Sequence, residues 1–64
     1  MTRGTDDSYI IEIIQLGGSV KVSAFDPISM KEASVIVPPS TTREEMSKLA
    51  IKKLHYVMQQ ENKA

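Results

Sequence analysis

Apolar and polar residues alternate along residues 19–26, which read Ser-Val-Lys-Val-Ser-Ala-Phe-Asp. A period of two places every second side chain on the same face of a β-sheet. The pattern therefore predicts a strand with Val20, Val22 and Ala24 on one face. Strand-like apolar segments lie before and after it, so we expect this strand to be the middle one of a small sheet.

Two further strands are predicted on either side of the middle one. Residues 9–16 are rich in β-branched side chains and end at Gly17-Gly18, a two-residue hairpin signal. Residues 32–37 lie between the turn that starts at Asp26-Pro27 and the double proline Pro38-Pro39, which cannot continue an interior ladder. We expect a three-stranded antiparallel meander in the order 1-2-3.

The C-terminal third of the chain has the spacing of an amphipathic helix. Residues 40–45 contain two overlapping Thr and Glu pairs with capping-box spacing, so a helix begins there, and we expect it to end near Gln60. It should pack on one face of the sheet, which gives an α+β fold of the type β-β-β-α. The apolar stripe recurs every three or four residues and comprises Met46, Leu49, Ala50, Leu54, Val57 and Met58.

The strand register follows from the turn lengths. Turns of two and four residues place Ile13 opposite Val22 and Val22 opposite Val35. A slip of one residue in the first hairpin would bring Glu12 against the central valines, and burying an unpaired carboxylate is costly. The predicted sheet core is Ile11, Ile13, Val20, Val22, Ala24, Ala33, Val35 and Val37.

The opposite face of the predicted sheet is mixed, and one helix cannot cover it. We hypothesise that two copies bury it as a homodimer, either by stacking these faces or by pairing their first strands at the sheet edge. The alternatives are that scattered surface isoleucines need no partner, or that the tails fold over them. The candidate interface residues are Ile10, Glu12, Ile14, Leu16, Lys21, Phe25 and Ile36.

The short chain forms one predicted domain over residues 9–60, with a disordered tail at 1–8 and a frayed tail at 61–64. Asp6 and Asp7 are interpreted as solvated charge, because hard cations need several convergent oxygens. A chain of 64 residues without cysteine has a thin core and no disulfide to support it. Such domains often gain stability by oligomerising.

Charge provides a second functional hypothesis. Lys48, Lys52 and Lys53 could form a basic side of the helix and bind nucleic acid weakly. Against this, the charges balance at eight acids and eight bases, and the open face offers isoleucines where a reader of bases needs Arg, Asn or Gln. Lys53 also lies within the apolar stripe, where its stem is expected to run along the sheet edge.

No catalytic, cofactor or metal signature is present in the sequence. His55 is the single histidine and is predicted to lie on the polar helix face without an orienting group, as a solvated side chain. No nucleophile elbow or phosphate-binding glycine motif occurs. We expect a non-enzymatic protein without a cofactor. No apolar run is long enough for a membrane span or a leader peptide, so a cytoplasmic location is expected.

Three segments resemble a family of short uncharacterised alphaproteobacterial proteins of unknown function. They are residues 19–27, then Glu-Ala-Ser-Val at 32–35 with Pro38, then Leu-Ala-Ile-Lys-Lys-Leu-His-Tyr-Val at 49–57. That family usually has a glycine in its second turn, where this chain has Ser29-Met30. The resemblance implies a bacterial cytoplasmic protein and brings no catalytic residues.

Overall fold

The computed structural model describes residues 2–6 and 8–61. Four strands form one antiparallel sheet in the order β1-β2-β3-β4, and a helix follows them. The α+β class, the meander of the three predicted strands and the single C-terminal helix are confirmed. The elements are β1 (Thr2–Asp6), β2 (Tyr9–Leu16), β3 (Ser19–Asp26), β4 (Lys31–Val37) and α1 (Arg43–Glu61).

The predicted register is confirmed in both hairpins. Val22 on β3 lies opposite Ile13 on β2 and opposite Val35 on β4. Gly17 has φ 60° while Gly18 is not in the left-handed region, as a type II′ hairpin turn requires. The first glycine of the pair is therefore the one that the turn needs.

The turn between β3 and β4 is held by Asp26. Its carboxylate accepts hydrogen bonds from the backbone N–H of Ile28 and the hydroxyl of Ser29, both at 3.0 Å. The N–H of Met30 donates to the carbonyl of Asp26 at 2.7 Å and closes the four-residue loop. Met30 has φ 64°, a left-handed conformation that favours glycine.

Strand β1 corrects the predicted disordered tail. Thr2–Asp6 pairs antiparallel with β2, from Thr2 opposite Ile13 to Asp6 opposite Tyr9. The tail prediction for residues 1–8 was wrong there, because the segment Thr-Arg-Gly-Thr-Asp contains no apolar residue whose periodicity could reveal a strand. The parts of the tail predictions and of the aspartate interpretation that concern residues 1, 7 and 62–64 lie outside the described residues.

The same strand bears on one form of the dimer hypothesis. The outer edge of β2 was predicted to be open for pairing between copies, but β1 occupies it from Tyr9 to Ile13. Pairing of two first predicted strands along this part of the edge would require β1 to leave it.

The helix begins at the second of the two predicted caps. The N–H of Glu45 donates to the hydroxyl of Thr42 at 3.2 Å, so Thr42 is the N-cap residue. The helix ends at Glu61, one residue beyond the predicted end. Glu61 forms an exposed ion pair of 2.6 Å with Lys31, which links the end of α1 to the start of β4.

The core lies between α1 and one sheet face, and the predicted helix face needs one correction. Leu49 is 37% exposed, whereas Ile51 packs against the core. The buried face centres on Leu54, and Leu49 lies five residues before it, about 140° around the helix. The buried hydrophobic residues are Ile11, Val20, Val22, Ala24, Ala33, Val37, Met46, Ala50 and Leu54, with Ile13, Val35, Val57 and Met58 partly buried against them.

Candidate interaction surface on the open sheet face

The sheet face opposite α1 carries all seven predicted interface residues. The alternation of β2, β3 and β4 directs them to this side, and the described chain has no second helix to cover them. We call this surface the open face. Its members on the three strands are Ile10, Glu12, Ile14, Leu16, Lys21, Ser23, Phe25, Glu32, Ser34 and Ile36.

Apolar side chains on the open face are accessible to solvent. Ile36 is 62% exposed and Leu16 is 50% exposed. Ile10, Ile14 and Phe25 are half-buried. Large apolar side chains gathered on one face are typical of a surface that contacts another molecule.

Two serines at the centre of the open face form a hydrogen bond with each other through their hydroxyl groups. The hydroxyls of Ser23 and Ser34 lie 2.8 Å apart across β3 and β4 and share a hydrogen bond. Ser23 is buried, although its strand position faces away from the helix. This packed centre means that the open face is preformed rather than dependent on a partner for its structure.

Beside the serines, the open face contains a depression with a volume of about 320 Å³. Ile10 and Phe25 contribute its apolar surface, Ser23 its polar wall, and Glu12 and Glu32 its carboxylates. An aromatic ring near carboxylates suits a cationic group, which gains both Coulomb attraction and a favourable contact with the ring face. The sequence pattern located these residues on one face but did not reveal the depression.

Charges on the open face are separated along the strands. Lys21 lies between Ile14 and Ile36, whereas Glu32 lies opposite Phe25, four residues further along β3. At about 3.3 Å per residue the two positions are roughly 13 Å apart along the strands. Neither Lys21 nor Glu32 forms an ion pair with any residue that the structure describes. A second molecule could therefore contact both.

The three lysines of the nucleic-acid hypothesis do not form one group. Lys48 and Lys52 are exposed and lie one helical turn apart. Lys53 donates a hydrogen bond of 2.7 Å to the backbone carbonyl of Ser34 at the outer edge of β4. Its stem follows the sheet edge as predicted, and its ammonium group is already bound to the protein.

His55 has a partner that sequence reasoning missed. Its Nε2 lies 2.8 Å from the hydroxyl of Tyr9, although the histidine itself is exposed. The two residues are 46 positions apart, and no spacing rule relates a strand residue to a helix residue at that separation. Across residues 2–6 and 8–61, no cluster of three or more potential metal-ligating side chains is found.

Comparison of the chain with known protein families found a match. The family model of a domain of unknown function, DUF6898, matches residues 6–61. The chain belongs to the DUF6898 family. The match includes β2, β3, β4 and α1, and hence every predicted interface residue of this DUF6898 chain.

Two other comparisons found nothing. No curated protein and no solved structure matches the DUF6898 chain. Among the described residues, no helix combines the length and the apolar character needed to cross a bilayer.

Proposed function

We propose that this DUF6898 protein is a non-enzymatic interaction module that forms a homodimer by stacking the open faces of two copies. The observation that carries the proposal is the exposure of Ile36 and Leu16 beside the half-buried Ile10, Ile14 and Phe25. Stacked sheets bury such side chains between them at a separation of about 10 Å. The bacterial cytoplasm is the proposed location, which the lack of cysteine supports.

The size of the open face sets the expected strength of the dimer. Strands of up to eight residues in a four-stranded sheet outline a face of roughly 26 Å by 19 Å. Two such faces bury on the order of 1,000 Å², which is at the lower end for specific interfaces. We therefore expect dissociation constants in the micromolar range and a mass that depends on concentration.

The test is the mass of the purified protein by multi-angle light scattering between about 5 and 500 μM. The wild-type chain should approach twice its monomer mass as the concentration rises. Ile36→Lys should keep it monomeric, because a charge replaces an exposed apolar side chain within the contact. Ile36 suits this test because its exposure leaves the monomer fold unaffected.

Ile28→Lys is the matched control. Ile28 is 87% exposed but lies in the turn between β3 and β4, outside the open face. It should dimerise like the wild type. A monomeric wild-type mass at every concentration, or equal masses for the two lysine variants, would contradict the proposal.

A further inference from the structure

The open face is divided into rows that cross the strands. The first row contains Ile14, Lys21 and Ile36, and the central row contains Glu12, Ser23 and Ser34. The third row contains Ile10, Phe25 and Glu32, and it borders the depression. Lysine is thus in the first row and the depression is centred on the third.

We propose that the two copies stack about a two-fold axis that crosses the strands near the central row, so that Lys21 of each copy enters the depression of the other. There its ammonium group contacts Glu32 and the ring of Phe25. This inference rests on the proposed self-association and specifies which residues meet.

The charge pattern selects this axis over the other stacking symmetry. Homodimers with closed symmetry use a two-fold axis. In a face-to-face stack that keeps the strands of the two sheets aligned, this axis runs either along or across the strands. An axis along the strands places each row over itself, so Lys21 meets a row with no carboxylate. An axis across the strands exchanges the first and third rows. Lys21 then lies over Phe25, next to Glu32, and like-charge contacts between lysines are avoided.

The shape of the open face favours the same arrangement. Lys21 is flanked by Ile14 and Ile36, and strand side chains stand roughly perpendicular to their sheet. A lysine stem therefore crosses much of the gap of about 10 Å between two stacked sheets. The depression that it meets offers Ile10 for the stem and Phe25 with Glu32 for the ammonium group.

Symmetry doubles the contact, and this compensates for the small area. Each dimer contains two Lys21 contacts, one at each end of the stack. A face of this size gives little affinity by area alone, so the charge contacts determine the orientation and exclude slipped arrangements. The positions of Lys21 and Glu32 are thereby explained, because each lies near the opposite charge in the second copy, whereas Glu12 belongs to the central row, which lies over itself.

The experiment is a charge exchange between two separately purified chains. The Lys21→Glu chain carries only acids at positions 21 and 32, and the Glu32→Lys chain carries only lysines there. Each variant alone should dimerise at least about tenfold more weakly than the wild type, because like charges then meet twice. An equimolar mixture should form a heterodimer within a few fold of wild-type affinity, measured by sedimentation velocity.

Lys48→Glu is the matched control, since Lys48 is an exposed lysine on α1 rather than on the open face. It should dimerise like the wild type, and it should bind the Glu32→Lys chain no more tightly than the wild-type chain does. If the single variants dimerise like the wild type, or the mixture is no tighter than either variant alone, the inferred axis is wrong. If the axis is wrong but Ile36→Lys still abolishes the dimer, the proposal that the chains associate through the open face is retained. A wild-type chain that stays monomeric would contradict both the proposed self-association and the inferred axis, and Lys21 of a second copy would then not bind in the depression.

Discussion

Tyr9 on β2 and His55 on α1 are joined across 46 positions of sequence by a hydrogen bond of 2.8 Å between the tyrosine hydroxyl and Nε2. Their rings meet edge to face with centroids 5.6 Å apart. The helix otherwise packs mainly against β3 and β4. The contact therefore ties β2 to the helix at a margin of the core.

Tyr9→Phe should lower the free energy of unfolding by about 0.5–1 kcal/mol, because it removes the hydrogen bond and keeps the ring. The measurement is urea unfolding followed by circular dichroism at one fixed protein concentration, since dimerisation would otherwise contribute. Tyr56→Phe is the matched control. Tyr56 is exposed and makes no hydrogen bond within the described residues, so no change is expected. Equal effects for the two variants would show that the Tyr9 contact contributes nothing.

Met30→Gly should stabilise the protein. Met30 has φ 64°, and a left-handed conformation costs a residue with a side chain roughly 1–2 kcal/mol. Glycine avoids that cost but loses more chain entropy on folding, about 0.5–1 kcal/mol. We expect a net gain of up to about 1 kcal/mol in the free energy of unfolding, measured in urea.

Met30→Val is the opposing control for the same turn. A β-branched residue fits the left-handed region worst, so the free energy of unfolding should fall by about 1 kcal/mol or more. The side chain of Met30 is exposed, which means that loss of packing does not obscure the backbone effect. A valine variant as stable as the glycine variant would show that the turn relaxes out of this conformation.

The fold could be predicted wherever apolar periodicity and turn chemistry agreed. Val20, Val22 and Ala24 alternate with polar residues, and the two turn lengths left one register that avoids burying Glu12. Strand β1 lacks that signal, because its five residues contain no apolar side chain whose periodicity could be recognised. Leu49 and Ile51 are both apolar, so the apolar periodicity of the helix could not decide which of them faces the sheet.

The candidate surface was predictable in membership but not in shape. Period-two alternation is sufficient to collect Ile14, Lys21 and Ile36 on one face. The depression depends on how far Phe25 and Glu32 project and on the serine pair packing down at the centre. The alternation of apolar and polar residues predicts which face a side chain lies on, but not how far it projects from the sheet.

Leu54→Ala and Leu49→Ala test which helix face packs on the sheet. Leu54 is fully buried, and truncating a buried leucine costs about 2–5 kcal/mol. Leu49 is partly exposed, so its truncation should cost less than about 1 kcal/mol. A domain of this size has only about 3–10 kcal/mol in total, so Leu54→Ala should be largely unfolded in mild urea while Leu49→Ala remains folded. Equal urea midpoints for the two variants would show that the buried face of the helix is assigned incorrectly.

The nucleic-acid hypothesis predicts a salt-sensitive interaction that depends on Lys48 and Lys52. We expect no retention of the chain by duplex DNA or RNA at about 150 mM salt, because two exposed lysines release few counterions. Binding at lower salt should weaken in Lys48→Gln and Lys52→Gln but not in Lys53→Gln, whose ammonium group is held by the Ser34 carbonyl. Retention at the higher salt concentration, lost in the first two variants, would establish nucleic-acid binding instead.

Deleting residues 1–6 should increase the mass of the assemblies that the protein forms. In the intact protein β1 covers the edge of β2 from Tyr9 to Ile13. Removing it exposes a row of backbone donors and acceptors, with Glu12 as the one charged side chain of that strand. Uncovered edges of this kind pair with other chains. Light scattering of the deletion variant should show masses above that of the wild-type dimer.

Deleting residues 62–64 is the control, because it shortens the chain without uncovering a strand that the structure describes. It should keep the wild-type mass. Combining the deletion of β1 with Ile36→Lys distinguishes association through the β2 edge from association through the open face, because edge pairing does not use the open face. If exposure of the β2 edge drives the added association, the combined variant still forms edge-paired dimers, whereas assemblies built through the open face revert to monomers. A β1 deletion variant with wild-type mass would show that this strand does not protect the edge of β2.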